Sequence, residues 1–151
     1  MAGLRPLADG VVAIRAPEPG DAAILIAGRD EVFHRYLGPG ADEPRPTACI
    51  VVDDVIVGWV DYDVDRPWLE PGEVNVGYNV LAGERGKGYA SRAVQLLLQH
   101  LASDTEFHTA TLLIAPDNAK SLALAARNGF VAHADLDGNP YFKRSVRAAL
   151  E

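Results

Sequence analysis

The feature that most constrains the fold of this chain is a strand, a glycine-containing loop and a helix that follow one another between residues 73 and 102. Glu73–Val80 alternates apolar and polar residues, which predicts a strand with one buried face. From about Gly88 to Ala102 apolar residues recur at helical spacing, which predicts a helix with one face in a core. That face comprises Ala90, Ala93, Val94, Leu97, Leu98 and Leu101.

Patterns of the same kind along the whole chain predict the order β-α-α-β-β-β-α-β-α-β-β. The predicted strands cover residues 11–16, 47–52, 55–64, 73–80, 109–115, 131–135 and 141–146, and the helices residues 21–29, 31–36, 88–102 and 118–128. Antiparallel neighbours come first and βα units later. This order predicts an α/β (α+β) fold, with a mixed, mostly antiparallel sheet of about six to seven strands and helices on both faces. The length suits one domain over residues 1–151.

Local signals mark where these elements begin and end. Asp21 and Asp117 precede helical patterns, and we expect them to act as N-caps. Asp53-Asp54 separates two β-branched runs and predicts a hairpin turn. Gly129 follows a helical pattern and is expected in the left-handed conformation that often ends helices.

Composition excludes several classes of function. Fourteen basic residues face 21 acidic ones, a net charge of −7, which disfavours nucleic acid as a partner. A single cysteine, Cys49, permits no intrachain disulfide, and with four scattered histidines it builds no zinc pattern, so no metal is expected. No apolar run reaches membrane-spanning length, and residues 1–10 contain no apolar signal-peptide core. We therefore expect a cytoplasmic protein without a membrane partner.

The loop before the central helix has the character of an anion site. Two glycines flank Lys87 where the helix begins, and a helix N-terminus offers unpaired N–H groups and a positive dipole end. Arg85 and Arg92 add positive charge nearby. A helix start with glycines for tight packing, and no ligand, is the alternative for this short segment.

Three phosphate-binding patterns compete for this loop. A Walker A loop needs Ser or Thr at Gly88 and Gly at Leu81, so that pattern fails twice. A dinucleotide fingerprint needs a third glycine where Ser91 stands. The pattern R-x-x-G-x-[GA] is matched by Arg85, Gly88 and Ala90.

A second motif lies further along the chain. Asn118 and Ser121 form the pattern N-x-x-S, and Gly129-Phe130 follows it along the chain. Val76-Gly77-Tyr78 lies before the glycine-containing loop. In these motifs and their order, over residues 11–146, the chain resembles the GCN5-related N-acetyltransferase (GNAT) family. The closest resemblance is to its ribosomal-protein N-terminal acetyltransferase-like subgroup.

The resemblance implies acetyl-coenzyme A (acetyl-CoA) as co-substrate. Backbone N–H groups of the loop would hold the pyrophosphate of CoA, and an N–H near Val80 would stabilise the oxyanion. Asn118 and Ser121 would line one side of the pantetheine arm. The remaining implied contacts are Asn79, Val80 and Leu81 along the arm and Arg85, Gly86, Lys87, Gly88, Tyr89 and Ala90 in the loop.

The catalytic residues implied by the resemblance depart from the usual set. An amine must lose a proton before it attacks, and Glu73, acting through an ordered water, is the candidate base. The subgroup often has an acid where Asn75 stands, and the family often has a tyrosine where Ala125 stands. Ser121 is the candidate donor to the leaving thiolate.

The acceptor is expected to be a primary amine, on a protein N-terminus or a small molecule, that attacks directly in a ternary complex. Nothing in the loop selects the acyl group, so succinyl or propionyl thioesters stay open. A non-catalytic acyl-CoA-binding module is the alternative function, and the chain is expected to be a monomer or homodimer. The candidates for the acceptor pocket are Phe33, His34, Tyr36, Trp59, Trp68, Tyr141 and Phe142.

Overall fold

A computed structural model describes residues 4–147, and within that range it contains eight strands and four helices. The strands form one sheet in the order β1-β2-β3-β4-β5-β6-β8-β7, in which β5 and β6 pair in parallel. The fold class predicted from the sequence is confirmed. The strands are β1 Leu7–Ala8, β2 Ala13–Arg15, β3 Ala48–Val52, β4 Val55–Asp63, β5 Glu73–Val80, β6 Thr109–Leu113, β7 Val131–Leu136 and β8 Asn139–Ser145, and the helices are α1 Asp21–Ala27, α2 Glu31–Leu37, α3 Tyr89–Asp104 and α4 Ala119–Arg127.

The described residues form two compact units. The first unit comprises residues 4–61 and 78–96, and the second comprises residues 62–77 and 97–147. Val12, Ile14 and Ile50 are buried in the first unit, and Ala110 and Leu112 in the second. The chain therefore passes between the units within β4, β5 and α3.

Strand β5 begins and ends at the residues predicted for it. Its parallel ladder with β6 covers only Glu73, Val74 and Asn75, which pair with Thr109, Ala110 and Thr111. In the first unit, Leu81 donates its N–H to the carbonyl of Val57 on β4 at 2.8 Å. Gly58 on β4 has no room for a side chain, because a Cβ there would collide with the carbonyl oxygen of Asn79.

The two predicted N-caps are wrong, and in each case a neighbouring residue takes the position. Gly20, in a left-handed conformation, precedes α1, while Asp21 is buried and accepts hydrogen bonds from Arg15 and from the Glu18 N–H, both at 2.7 Å. Asn118, not Asp117, caps α4 and accepts the Ser121 N–H at 3.3 Å. In α4 the Asn118 oxygen reaches an N–H of the first turn, whereas α1 begins at Asp21 itself and its N-cap, Gly20, offers no side-chain oxygen.

The predicted turns are confirmed. Asp53 and Asp54 take φ values of 50° and 63°, the left-handed conformation that a two-residue hairpin turn requires. Gly129 has a φ of 76° after α4 and lets the Phe130 N–H reach the carbonyl of Ala125 at 2.9 Å. Strand β1, only two residues long, has no counterpart in the sequence prediction, because so short a segment shows no periodicity.

No helix among residues 4–147 is long and apolar enough to cross a membrane.

Candidate active site

The loop between β5 and α3 contains glycines with open space where a side chain would lie. Gly86 and Gly88 have φ values of 81° and 80°, and a Cβ added at either would meet no atom within 4 Å. Tight packing therefore does not explain these glycines. Their backbone conformation does, since residues with side chains rarely adopt it.

Helix α3 presents its first N–H groups to this open loop. The helix begins at Tyr89, and the Arg92 N–H bonds the Gly88 carbonyl at 3.3 Å. The N–H groups that precede this bond, including those of Tyr89 and Ala90, have no carbonyl one turn earlier within the helix. The loop thus combines an accessible backbone with the positive end of a 16-residue helix.

The three cations predicted to enrich this region in positive charge each have a carboxylate partner. Arg85 contacts Asp30 at 2.6 Å, Lys87 contacts Glu84 at 3.3 Å, and Arg92 contacts Asp9 at 2.9 Å. The side-chain charges around the loop are therefore balanced. The attraction for an anion comes mainly from the backbone N–H groups and the helix dipole.

The Asp30–Arg85 pair has bidentate geometry. Arg85 Nη1 lies 2.6 Å from Asp30 Oδ2, and Nη2 lies 3.1 Å from Oδ1. Asp30 also caps α2 by accepting the Phe33 N–H at 3.0 Å. The hydrogen bond from Arg85, followed by that from Phe33, lowers the pKa of Asp30 to about 2.

Residues 79–81, expected along the pantetheine arm, differ from one another. Asn79 is 7% exposed, and its Nδ2 has no hydrogen-bond partner among residues 4–147. A buried donor without a partner is costly unless water or a ligand satisfies it, so Asn79 fits a ligand contact. Val80 is buried beside it.

Leu81, by contrast, is fully engaged within the protein. Its side chain packs in a cluster with Leu25, Cys49 and Ile56, and its N–H and carbonyl are bonded to Val57 and Glu84. The geometry gives Leu81 a packing role, and its contact with the arm stays a prediction.

A cavity of about 320 Å³ opens in the first unit. This volume is at the lower end of the range for ligand pockets. Phe33 and Trp59, two of the seven predicted acceptor-pocket residues, lie in its wall. The full lining is Leu25, Arg29, Phe33, Leu37, Gly40, Ala41, Pro44, Arg45, Pro46, Trp59 and Asp61.

The cavity combines apolar walls with charged groups. Arg29 donates to the Ala41 carbonyl at 2.7 Å, and its guanidinium lies 5.0 Å from the Phe33 ring centre. Asp61 accepts both the N–H and the hydroxyl of Thr47. Arg45 is exposed at the edge of the cavity, an environment with room for an anionic group.

Two other predicted pocket residues of the first unit do not line this cavity. His34 is exposed, and its Nδ1 lies 2.9 Å from the Gly38 carbonyl at the end of α2. The Tyr36 ring is covered by the guanidinium of Arg35 at 5.3 Å. Both contacts are local to α2 and the residue that follows it.

In the second unit, Glu73 forms a buried ion pair. Its side chain is 5% exposed, and its Oε2 lies 2.7 Å from Nζ of Lys143 on β8. Burial raises the pKa of Glu73, but the hydrogen bonds from Lys143 and the Glu70 N–H, with nearby positive charge, bring it below the usual value. The same pair raises the pKa of Lys143.

Aromatic and polar groups surround this pair. The Tyr141 ring lies 6.3 Å from that of Trp68 and 5.4 Å from that of His133, and Lys143 Nζ lies 5.7 Å from its centre. Burial raises the pKa of the Tyr141 hydroxyl. Trp68 Nε1 and Asn75 Oδ1 are buried without a hydrogen-bond partner in the described part of the chain.

The N-x-x-S motif has a local role that its sequence did not reveal. The Asn118 side chain caps α4 through the Ser121 N–H, so the spacing of three residues is that of a helix cap. Ala125, where the family often has tyrosine, is fully buried on the same helix. Across residues 4–147, no group of three His, Cys, Asp or Glu side chains is arranged to hold a metal ion.

Comparison with known families agrees with this arrangement. Residues 27–131 match the acetyltransferase (GNAT) domain family, which is more than half of the chain. The chain belongs to the GNAT acetyltransferase family. The match confirms the resemblance seen in the sequence and the class of enzyme that it implied.

One similar curated protein is the ribosomal-protein-serine acetyltransferase of Escherichia coli (strain K12). The two are 29% identical over 82 residues, which are 54% of this chain and 45% of that relative. The match thus spans about half the length of this relative.

Solved structures share the fold. A GNAT-family acetyltransferase from Bacillus anthracis superposes with a TM-score of 0.77 at 15% identity, covering 96% of this chain and 99% of the other. RimL, a ribosomal alpha-N-protein acetyltransferase in complex with CoA, gives 0.74 at 17% identity, covering 91% and 95%. An aminoglycoside acetyltransferase in complex with CoA gives 0.75 at 16%, covering 89% and 94%. At these identities the likeness shows the fold alone.

Proposed function

We propose that this chain transfers an acetyl group from acetyl-CoA to a primary amine, by direct attack of the amine within a ternary complex. The observation that carries the proposal is the loop of Gly86 and Gly88. Both glycines have positive φ and open space where a side chain would lie, and they lead into the first N–H groups of a 16-residue helix, which have no carbonyl partner within that helix. This is the geometry of a backbone cradle for phosphate, in a chain of an acetyltransferase family.

In this proposal the N–H groups of residues 85–90 bind the pyrophosphate of CoA. Asn79 satisfies its buried Nδ2 on the pantetheine arm, and a backbone N–H near Val80 faces the oxyanion that forms during attack. Asn118 and Ser121 keep their proposed place along the arm, with the Asn118 side chain also holding the start of α4.

The acceptor amine is proposed to enter through the cavity lined by Phe33 and Trp59. Its volume suits a small amine or the first residues of a peptide, and its walls are largely apolar. Arg45, exposed at the cavity, favours acceptors that carry a negative group beside the amine. Replacing Arg45 by Gln is expected to raise KM about threefold for acidic acceptors and to leave KM for neutral ones unchanged, which steady-state kinetics would measure.

The form of base catalysis follows from the Glu73–Lys143 pair. A carboxylate with a lowered pKa is a weak proton acceptor near neutral pH. We therefore propose that Glu73 acts as a fixed negative charge that orients a water to take the proton from the attacking amine, and that it stabilises the positive charge that develops on the amine nitrogen as the C–N bond forms. Ser121 is the proposed donor to the departing thiolate, a tolerable leaving group by itself.

The alternative function is a non-catalytic acyl-CoA-binding module. Asn75 and Ala125 stand where the family often has an acid and a tyrosine, and Glu73 is neutralised by Lys143. Binding of CoA without turnover across peptides, polyamines, aminoglycosides and small amines would favour it.

The test combines binding and turnover. Acetyl-CoA should raise the melting temperature of the protein, and free CoA thiol should appear with at least one amine of the panel. Gly88→Ala, which forces a side chain into a left-handed position, should weaken CoA binding by at least about tenfold. Gly138→Ala is the matched control, since Gly138, in the second unit, also has a positive φ and open surroundings. No stabilisation by acetyl-CoA or CoA would refute the proposal.

A further inference from the structure

Arg85 is the first residue of the pattern R-x-x-G-x-[GA] that indicated CoA binding, yet its side chain is bonded to a carboxylate of the protein itself. Both terminal nitrogens of its guanidinium bond the carboxylate of Asp30, at 2.6 and 3.1 Å. Such bidentate pairs are among the strongest side-chain contacts in proteins. A phosphate could recruit this guanidinium only by breaking the pair or by using its remaining N–H groups.

Asp30 occupies the turn between α1 and α2 and holds the start of α2. Its Oδ1 accepts the Phe33 N–H at 3.0 Å while its carboxylate binds Arg85. One carboxylate thus joins the loop before α3 to the first turn of α2. A second contact links this loop to the turn between α1 and α2: Gly28 packs so closely on Leu81 that a Cβ at Gly28 would lie 2.7 Å from a Leu81 methyl group.

The connection continues to the wall of the cavity. Phe33, whose N–H is held by Asp30, lines the cavity and lies under the guanidinium of Arg29. Arg29 in turn donates to the carbonyl of Ala41, another residue of the lining. Every contact in this series lies in the first unit.

We propose that Arg85 is a positioning residue: through Asp30 it fixes the turn between α1 and α2, and with it the Phe33 wall of the cavity, to the loop that precedes α3. This inference rests on the proposed function, because it assigns that loop to CoA and the cavity to the acceptor. Arg85 then shapes the acceptor cavity and contributes no direct phosphate contact from its side chain. Binding at the loop and at the cavity become coupled through one ion pair, and such coupling is reciprocal.

The test uses both partners of the pair and a reporter in the cavity. Trp59 and Trp68 are the only tryptophans, so Trp68→Phe serves as the parent protein, in which emission reports Trp59 alone. Asp30→Asn, Arg85→Met, the double variant and Arg85→Lys are made in that parent. Asp63→Asn/Arg66→Met removes an exposed ion pair of 3.1 Å and is the matched control. Calorimetric titration with CoA, Trp59 emission and melting temperature are measured for each.

The proposal expects the same result from either partner. Asp30→Asn and Arg85→Met should shift Trp59 emission in the same direction and lower the melting temperature by about 2–4 °C. Both should change the Kd for CoA by less than about threefold, with the larger change for Arg85→Met, because Arg85 Nη2 also lies 3.5 Å from Oδ1 of Asn79. The double variant should show no further change in Trp59 emission or melting temperature. Arg85→Lys should give an intermediate change, because lysine keeps the positive charge but cannot form two parallel hydrogen bonds. The control variant should match its parent in both measurements.

Different results would overturn it. If Arg85→Met weakens CoA binding more than about tenfold while Asp30→Asn leaves it unchanged or tightens it, Arg85 is a phosphate ligand and the inference is wrong. Additive effects of the two substitutions on Trp59 emission and melting temperature would also refute it. If the parent binds no CoA, the proposed function fails, whereas emission and melting temperature still decide whether the pair positions the cavity wall.

Discussion

Two carboxylate–cation pairs distinguish the two units of this molecule. In the first unit Asp30 pairs with Arg85, and their side chains are 30% and 22% exposed. In the second unit Glu73 pairs with Lys143, and the carboxylate is 5% exposed. The first pair has the planar, two-bond geometry of arginine, and the second has a single contact of 2.7 Å from a lysine.

The two pairs lower the pKa of their carboxyl groups in different ways. For Asp30 the hydrogen bonds from Arg85 and from the Phe33 N–H are the largest influences and outweigh the opposing effect of burial, so the pKa falls to about 2. For Glu73 burial is the largest single influence and raises the pKa, and the partners must first overcome it. A lowered carboxyl pKa can therefore accompany either a partly exposed ion pair or a buried charge that depends on its partner.

The largest expected effect follows from this dependence. Lys143→Met leaves the Glu73 carboxylate buried without its cation and should lower the free energy of unfolding by about 2–3 kcal/mol, somewhat below the ~3–5 kcal/mol of a fully buried pair. Urea unfolding at pH 7 measures it. Glu73→Gln/Lys143→Met should recover most of the loss, since no unpaired charge remains. A Lys143→Met protein as stable as the parent would show that Glu73 does not need its partner.

The next effect concerns turnover. Because the pKa of Glu73 lies below its usual value, we expect Glu73→Gln to lower kcat by only about tenfold, less than the ~100-fold or more of a lost general base. The acid limb of the kcat/KM profile should keep its position, since it then reflects the acceptor amine. A fall of a thousandfold, with loss of that limb and unchanged CoA binding, would make Glu73 the direct base.

The dependence of stability on pH separates the pairs further. A depressed carboxyl pKa stabilises the folded state above the unfolded pKa, near 3.8 for Asp30, and the contribution disappears as pH falls through the folded value of about 2. Wild type should therefore lose about 1 kcal/mol more than Asp30→Asn between pH 4 and 2, after allowance for solvent screening of a partly exposed pair. Unfolding curves across that interval measure the difference. Parallel curves for the two proteins would contradict it.

The smallest effect is the response to salt. Screening acts on exposed charges much more than on buried ones. Raising sodium chloride from 0.05 to about 1 M should reduce the coupling between Asp30 and Arg85 in a double-mutant cycle by about 0.5 kcal/mol. The coupling between Glu73 and Lys143 should change by less than half as much. Equal sensitivity of the two couplings would remove the distinction between the pairs.

Much of the local structure could be predicted because it depends on neighbours in sequence. Strand β5 has the predicted ends, since its alternation of side chains is set by a period of two. Helix α3 and the turn at Asp53-Asp54 follow from apolar spacing and from residues that tolerate positive φ. The helix N-caps were harder to predict, because Asp117 and Asn118 are both good N-cap residues and only the position of the first turn of α4 decides between them.

The contacts of the charged side chains could not be predicted. Arg85 and Asp30 are 55 residues apart, and Lys143 and Glu73 are 70 apart. Their pairing changes what each residue can do: Arg85 is bound to a carboxylate, and Glu73 is held as an anion. No periodicity or motif predicts such an ion pair, because the contact depends on which strands and helices pack together.

The sequence by itself determined the family, the order of strands and helices, and the loop that is suited to an anion, because spacing and glycine conformation are local properties of the chain. Only the tertiary structure decided that the space beside the loop glycines is open, that Leu81 packs in a core, and that the cations around the loop have carboxylate partners. The physical reason is that burial and ion pairing depend on the distance between residues far apart in the chain, which only folding sets.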